Sequence, residues 1–302
     1  MVSRERLRRV AALGVRLANE RRVRLTAQLL LAAGLVFVAL RLRSTWHDSH
    51  IELSRLGWGW LAGSLTLAVS AVFASAFIWL EILRLLGVTP RPSWAAVYLR
   101  GQLGKYVPGS VWQYASRGAL ATSRGIPLRA VAKSFPIELS ATVYVAAAFS
   151  ILLLGWWGAV GVVALVAAAP AATIALHARN GARAAGKAVL LYAGTWVLIG
   201  ASFWMAARGL VHIPIQQLPV YAGGFAVAWI VGLVAIYAPS GIGVREALLV
   251  AILRSRIGTE DALLVAAASR VVFTLADLVA ASLSLLTMRG SGRTPAEQVG
   301  RA

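Results

Sequence analysis

Seven stretches of the chain are apolar for long enough to cross a membrane as helices: residues 25–42, 60–86, 136–154, 157–176, 188–207, 221–238 and 262–287. Each reaches the roughly 17–25 residues that a spanning helix needs. Between the second and third the pattern changes. Residues 93–105, SWAAVYLRGQLGK, have helical spacing but are too short and too polar for a span. Pro108 disfavours helix at Val107 and removes a backbone donor, and Gly109 permits the turn. Ser110 to Gln113 then has the Ser-x-x-Gln form of a capping box, so a new helix is predicted from Val111 to about Arg124, where Gly125 ends it. The segment reads as two half-helices meeting at a break.

The same punctuation recurs 131 positions later: YVPGSV (Tyr106 to Val111) is answered by YAPSGI (Tyr237 to Ile242). Tyr106, Pro108, Gly109, Ser110 and Trp112 mark the first motif, and Pro239, Ser240, Gly241 and Gly243 the second. Each follows a strong span and precedes one carrying an acidic residue, Glu138 or Asp277. Gly/Pro-interrupted segments in corresponding halves are the best sequence pointer to a transporter site. The expected fold is an all-α, polytopic integral membrane protein with about seven or eight transmembrane helices, two broken re-entrant-like segments and an internal repeat.

Three parts are expected: a basic cytoplasmic or interfacial segment (1–24), the transmembrane domain (25–288) and a short basic tail (289–302). Loops around 84–105, 117–133 and 177–187 are rich in Arg and Lys, which places them and the N-terminus in the cytoplasm of a cell-membrane protein. Seven crossings would leave the basic tail outside; an eighth within 239–257 would return it to the cytoplasm. Trp58, Trp60, Trp94, Trp156 and Trp157 read as interfacial belt residues.

Composition agrees with the pattern. Of 302 residues 59% are hydrophobic and only 14% charged, against about 25% charged in soluble domains. The net charge of +19 lies mainly in termini and short loops, which speaks for membrane topology and against nucleic-acid binding. With no cysteine and four scattered histidines, neither a thiolate site nor a histidine metal cluster is expected. Phosphate-loop, zinc-protease and nucleophile-elbow motifs are missing, so neither an enzymatic role nor a cofactor is expected.

The candidate chemistry lies in charges within apolar surroundings. Of only eleven acidic residues, Glu81, Glu138, Glu246 and Asp277 fall within or at the edge of apolar segments. Arg84, Arg117, Arg245 and Arg270 lie close to the same segments. Such charges cost about 2.5–3.5 kcal/mol each at the bilayer centre and persist where they pair or line a hydrated path. Arg270 and Asp277 lie two turns apart on one helix, too far for a direct pair, so each is expected to find partners elsewhere. Lys105 is a candidate guide for an anion and Asp277 for a coupling proton. The plain alternative is a set of buried ion pairs holding helices together, with Arg245 at the interface.

Together, QLGKYVPGSVWQYASR, SFPIELSATVYV, APSGIGVREALLV and ASRVVFTLADL resemble the lysylphosphatidylglycerol synthase transmembrane-region family, the flippase-like domains of multiple peptide resistance factors and their standalone relatives. The resemblance implies a helical domain that moves a phospholipid head group between leaflets, and by motif it carries Arg117, Glu138, Glu246, Arg270 and Glu81 over as functional residues. Leu139 stands where the family often has arginine after the glutamate, so the resemblance supplies no partner for Glu138. Only residues 289–302 follow the last span, and no synthase domain is expected. The expected function is a lipid flippase-like transporter of an anionic or aminoacylated phospholipid. The alternatives are a flippase for polyprenyl-phosphate or polyprenyl-linked sugar, and a non-transporting scaffold for a separate synthase or glycosyltransferase.

Overall fold

The computed structural model describes residues 56–106, 112–154, 181–234, 241 and 243–289. The spans expected at 25–42 and 157–176, and Pro108, Gly109, Ser110, Pro239 and Ser240 of the two motifs, lie outside the described residues. Among the described residues all regular structure is helical: α1 (Trp58–Leu85), α2 (Ala95–Gly101), α3 (Trp112–Thr122), α4 (Leu128–Leu154), α5 (Gly181–Arg208), α6 (Leu218–Val234), α7 (Val244–Ile257) and α8 (Thr259–Arg289). Short 3₁₀ turns precede α2 and α6, and a third, Gln102–Tyr106, prolongs α2. Among the described residues five helical stretches are long and apolar enough to cross a membrane: 58–85, 128–151, 189–208, 215–234 and 259–285.

The boundaries differ from expectation in instructive places. α4 begins at Leu128 rather than 136, because Pro136 is accommodated inside the helix. The basic stretch before 188 joins α5, which starts at Gly181. α6 begins at Leu218, three residues before the expected 221, and residues 235–238 of that expected span lie outside the described residues.

Contacts fix the helix directions. α1 and α5 are antiparallel: the hydroxyls of Ser64 and Ser202 each donate to the other's carbonyl, at 2.7 and 2.8 Å. At one end of this pair the Gly57 amide reaches the Gly209 carbonyl at 2.9 Å, and at the other Lys187 meets Glu81 at 3.3 Å. α4 starts at the Leu85 end, where the Trp79 indole donates to Ser134 at 3.0 Å. It runs parallel to α5, bringing Phe149 against Gly200. α8 runs parallel to α1: Val272 and Ala276 pack on Ala68, and Ala280 packs with Ala76 and Leu83. Its end lies at the Leu85 end of α1, where Arg100 donates to Ser284 at 3.3 Å.

Two hairpins complete the bundle. α2 and α3 both rest on the Leu85 end of α1 through Trp94, Val97, Tyr98, Leu99 and Ala121. Trp94 is 9% exposed, so it is a packing residue of this cluster and not part of an interfacial belt. Trp58 and Trp60, at the other end of α1, are 60% and 40% exposed. α6 and α7 approach from that other end. Their antiparallel contact brings Ile252 to Gly224 and Arg245 to Gly232, and an aromatic ladder of Tyr221, Phe203, Phe225 and Phe273 ties α6 to α5 and α8. The end of the 3₁₀ turn after α2 and the starts of α3 and α7 come to one region of the bundle, where Lys105, Gln113 and Arg245 line a common space.

Candidate functional site

In this region the helices line a cavity of about 240 Å³. Tyr98, Gln102, Lys105, Gln113 and Tyr114 of the first hairpin form one wall. Gly232, Leu233, Gly241 and Arg245 of the second form another, and Glu138, Tyr192, Trp196, Trp229 and Asp277 join from the long helices. Ala68, Ala71 and Val72 of α1 supply an apolar back.

Gly241 explains how the second hairpin turns here. Its φ is +67°, a left-handed conformation that glycine adopts without strain. A Cβ at this position would stand 2.9 Å from the Gly232 Cα, so the two backbones touch.

Three ion-pair clusters surround the cavity. In the first, Arg117 is 1% exposed and is held by Glu138, whose Oε2 accepts from Arg117 Nη1 and whose Oε1 lies 3.3 Å from Nη2. The guanidinium lies 4.1 Å from the centre of the Tyr98 ring, with Trp79, Tyr114 and Phe135 within 6 Å. The Tyr98 hydroxyl donates to Glu138 Oε1 at 3.0 Å and accepts from Gln102 at 3.0 Å. Arg117 therefore sits behind the wall, while Glu138 lines it.

In the second cluster the Asp277 carboxylate, 2% exposed, receives Lys105 at 2.7 Å and the Tyr106 hydroxyl at 2.5 Å. This fastens the last turn before residues 107–111 to the middle of α8. In the third, Glu246 uses one oxygen to accept from the Gly243 amide at 2.7 Å, closing back on the N-terminus of α7. Its other oxygen lies 2.9 Å from Arg270 Nη2 and 3.5 Å from Arg245 Nε. Among the described residues Arg245 Nε and Nη2 have no hydrogen-bond partner, although the residue is only 7% exposed and its guanidinium lies 5.1 Å from the Phe225 ring centre.

Of the expected site residues, Lys105, Glu138, Gly241 and Asp277 line the space, whereas Arg117 and Tyr106 lie behind it on Glu138 and Asp277, and Glu246 and Arg270 lie behind it on Arg245. Trp112 and Gly243 mark the starts of α3 and α7. Glu81 is elsewhere: at the Leu85 end of α1 it pairs with Arg84 and Lys187, both more than half exposed, and it does not touch the cavity. The partner of Glu138 is Arg117, 21 residues earlier. Sequence reasoning missed Arg245 as a lining residue. The available signal was its place in the first turn after a glycine-rich break, where a helix end exposes neighbouring side chains together. Among the described residues no group of three His, Asp or Glu side chains is arranged to hold a metal. Compared with known proteins, the chain matches no family model, no curated protein and no solved structure.

Proposed function

We propose that the chain is a lipid flippase-like transporter that moves an anionic or aminoacylated phospholipid head group between the leaflets of the cell membrane. The observation that carries this reading is the cavity lined by Lys105, Glu138, Arg245 and Asp277, with the partners of these charges behind them, within a bundle of apolar helices. Unpaired backbone at membrane depth has to line protein or a watery space, and charges at that depth are costly unless they serve a path or a partner. A polar cavity in that position satisfies both conditions, and the motifs that resemble the flippase-like family fall on its walls.

In this reading the α2–α3 and α6–α7 hairpins are re-entrant from opposite faces. Since α4 and α5 run parallel, the chain between them returns across the membrane, as does the apolar run at 25–42. α8 ends on the side of the basic 84–105 loop, so both termini are cytoplasmic under the positive-inside rule. The head group occupies the cavity while its acyl chains stay in lipid.

A second reading, a non-transporting scaffold for a lipid synthase or glycosyltransferase, is favoured by one observation: Arg117 and Glu138 satisfy each other inside an aromatic cage. Reconstituted proteoliposomes separate the two. Fluorescent phosphatidylglycerol, its lysyl form and a polyprenyl-phosphate analogue are offered to wild type and to Arg270→Ala. Movement of one lipid by wild type, lost in the folded variant, supports transport. Failure of wild type to move any of the three rejects transport of these lipids and leaves the scaffold reading.

A further inference from the structure

The charges around the cavity are unevenly satisfied. Arg117 is committed to Glu138, Lys105 to Asp277, and Arg270 lies against Glu246. Arg245 is left with the same Glu246 oxygen at 3.5 Å and no hydrogen bond among the described residues, yet more than nine-tenths of it is buried and it faces the cavity. Burying an ionic group without hydrogen bonds is heavily penalised, so a position of this kind calls for an anion from outside the chain.

We infer that Arg245 is the anion seat of the cavity and that its ligand is a lipid head group with a singly charged phosphodiester. The inference deepens the transport reading above and rests on it. Among the described residues the three clusters at the cavity hold four cations (Lys105, Arg117, Arg245 and Arg270) and three carboxylates (Glu138, Glu246 and Asp277), and the positive charge left over falls in the cluster where Arg245 lines the space. A phosphodiester monoanion cancels that charge. A phosphomonoester with two charges oversteps it, and a zwitterion leaves it standing.

Size points the same way. A space of about 240 Å³ lies below the roughly 300–1,000 Å³ of pockets that enclose drug-sized ligands. It suits a phosphate with a few attached atoms better than a whole acyl or polyprenyl chain. Arg245 meets such a phosphate with the planar fork that suits its oxygens, and the side chains of Gln102, Gln113 and Thr195 on the walls offer neutral polar groups to a hydroxylated remainder.

The test is binding to purified full-length protein in detergent. The probes are dihexanoyl-phosphatidylglycerol, dihexanoyl-phosphatidic acid, dihexanoyl-phosphatidylcholine, and dimethyl phosphate as a phosphodiester without a lipid. Trp196 and Trp229 line the cavity in edge-to-face contact at 5.3 Å, so tryptophan emission reads occupancy. Wild type is expected to prefer phosphatidylglycerol, and Arg245→Met to weaken that binding about 10- to 100-fold, the range of a charge-assisted hydrogen bond. Arg245→Lys, which keeps the charge and loses the fork, is expected to lie between them.

Thermal unfolding guards against a trivial loss. Removing an unsatisfied buried charge is expected to leave Tm unchanged or raise it; a marked fall in Arg245→Met would make Arg245 a structural counter-ion and overturn the proposal. Unchanged binding by Arg245→Met, or wild-type affinity for phosphatidic acid or phosphatidylcholine equal to that for phosphatidylglycerol, also overturns it. Equal affinity for dimethyl phosphate and the lipid overturns the assignment to a lipid head. Translocation measured on the same preparations separates this from the transport reading. Transport that survives Arg245→Met rejects the seat alone, whereas selective binding without any transport supports the seat and rejects transport.

Discussion

Replacing Glu138 by glutamine tests the logic of the first charge cluster. The substitution preserves shape and the acceptor for the Tyr98 hydroxyl, which lies 3.0 Å from Oε1, and removes the counter-charge. Arg117 stays 1% exposed behind the cavity wall, and Glu138 is its only carboxylate partner among the described residues. Removing one partner of a buried pair costs about 3–5 kcal/mol. The Tyr98 ring, 4.1 Å from the guanidinium carbon, offsets part of this, since a desolvated cation–π contact contributes about 2 kcal/mol and survives the change. The expected loss is therefore about 3 kcal/mol, at the low end of the range. For a chain of this size that corresponds to a fall in Tm of about 6 °C, at roughly 2 °C per kcal/mol. The double variant Arg117→Met/Glu138→Leu removes both charges and should recover to within about 1 kcal/mol of wild type, because an apolar replacement of a buried pair is often neutral or stabilising. Detergent-solubilised protein, unfolded thermally and followed by circular dichroism, provides the assay. A Glu138→Gln protein that melts within 1 °C of wild type (an interval small beside the expected shift), or a double variant as unstable as the two single changes added together, would refute the reasoning.

Other consequences can be checked separately. Asp277→Asn weakens the fastening of Lys105 and Tyr106, with an expected cost of about 1.5–3 kcal/mol and faster hydrogen exchange over residues 102–106; unchanged exchange there would contradict it. Gly241→Ala should cost more than Gly243→Ala. Both positions have positive φ, worth about 1–2 kcal/mol against a side chain, but only at Gly241 would the new Cβ strike backbone, while Gly243 has open space. Equal Tm values would show that the hairpin turn has room to yield. Because the chain contains no cysteine, single cysteines report topology cleanly. Thr89→Cys and Ser255→Cys, both exposed and at opposite ends of the bundle, should react with impermeant maleimide from opposite sides of the membrane, and labelling from one side would contradict the helix directions.

Much of this architecture is legible in the chain, for physical reasons that particular residues make plain. The runs expected at 60–86, 188–207 and 262–287 appear as Trp58–Leu85, Gly181–Arg208 and Thr259–Arg289, because a long apolar stretch has few alternatives to a helix. The short helix Trp112–Thr122 follows the first break and stops just before Gly125, as local backbone chemistry directs. The partners of the charges are not local. Lys105 and Tyr106 reach Asp277 across more than half the chain, and the rings around Arg117 come from Trp79, Tyr98, Tyr114 and Phe135. No periodicity encodes such a convergence. Trp94 misleads because a tryptophan beside a polar loop has the composition of a belt residue, whereas the 3₁₀ turn at Pro92 folds it back onto α1. Arg245 misleads in the other way. Of the adjacent pair in the first turn of α7 it is Arg245 that lines the cavity, beside Gly241, while Glu246 turns back to the Gly243 amide and Arg270.

The reciprocal Ser64–Ser202 bonds have a mechanical consequence. Two hydroxyl–carbonyl bonds that each bind the other helix's backbone resist sliding and rotation together, and the Gly57–Gly209 contact pins the same pair at its end. α1 and α5 therefore behave as a single stiff post. The other helices pack on this pair and on α8 through side chains alone, by Trp94, Val97 and Leu99 at one end and by Tyr221 and Phe225 at the other, with no reciprocal backbone bond of this kind among the described residues. The post is thus the frame to which the cavity walls are referred: Ala68, Ala71 and Val72 of α1 and Thr195, Trp196 and Ile199 of α5 line the same space from its two members.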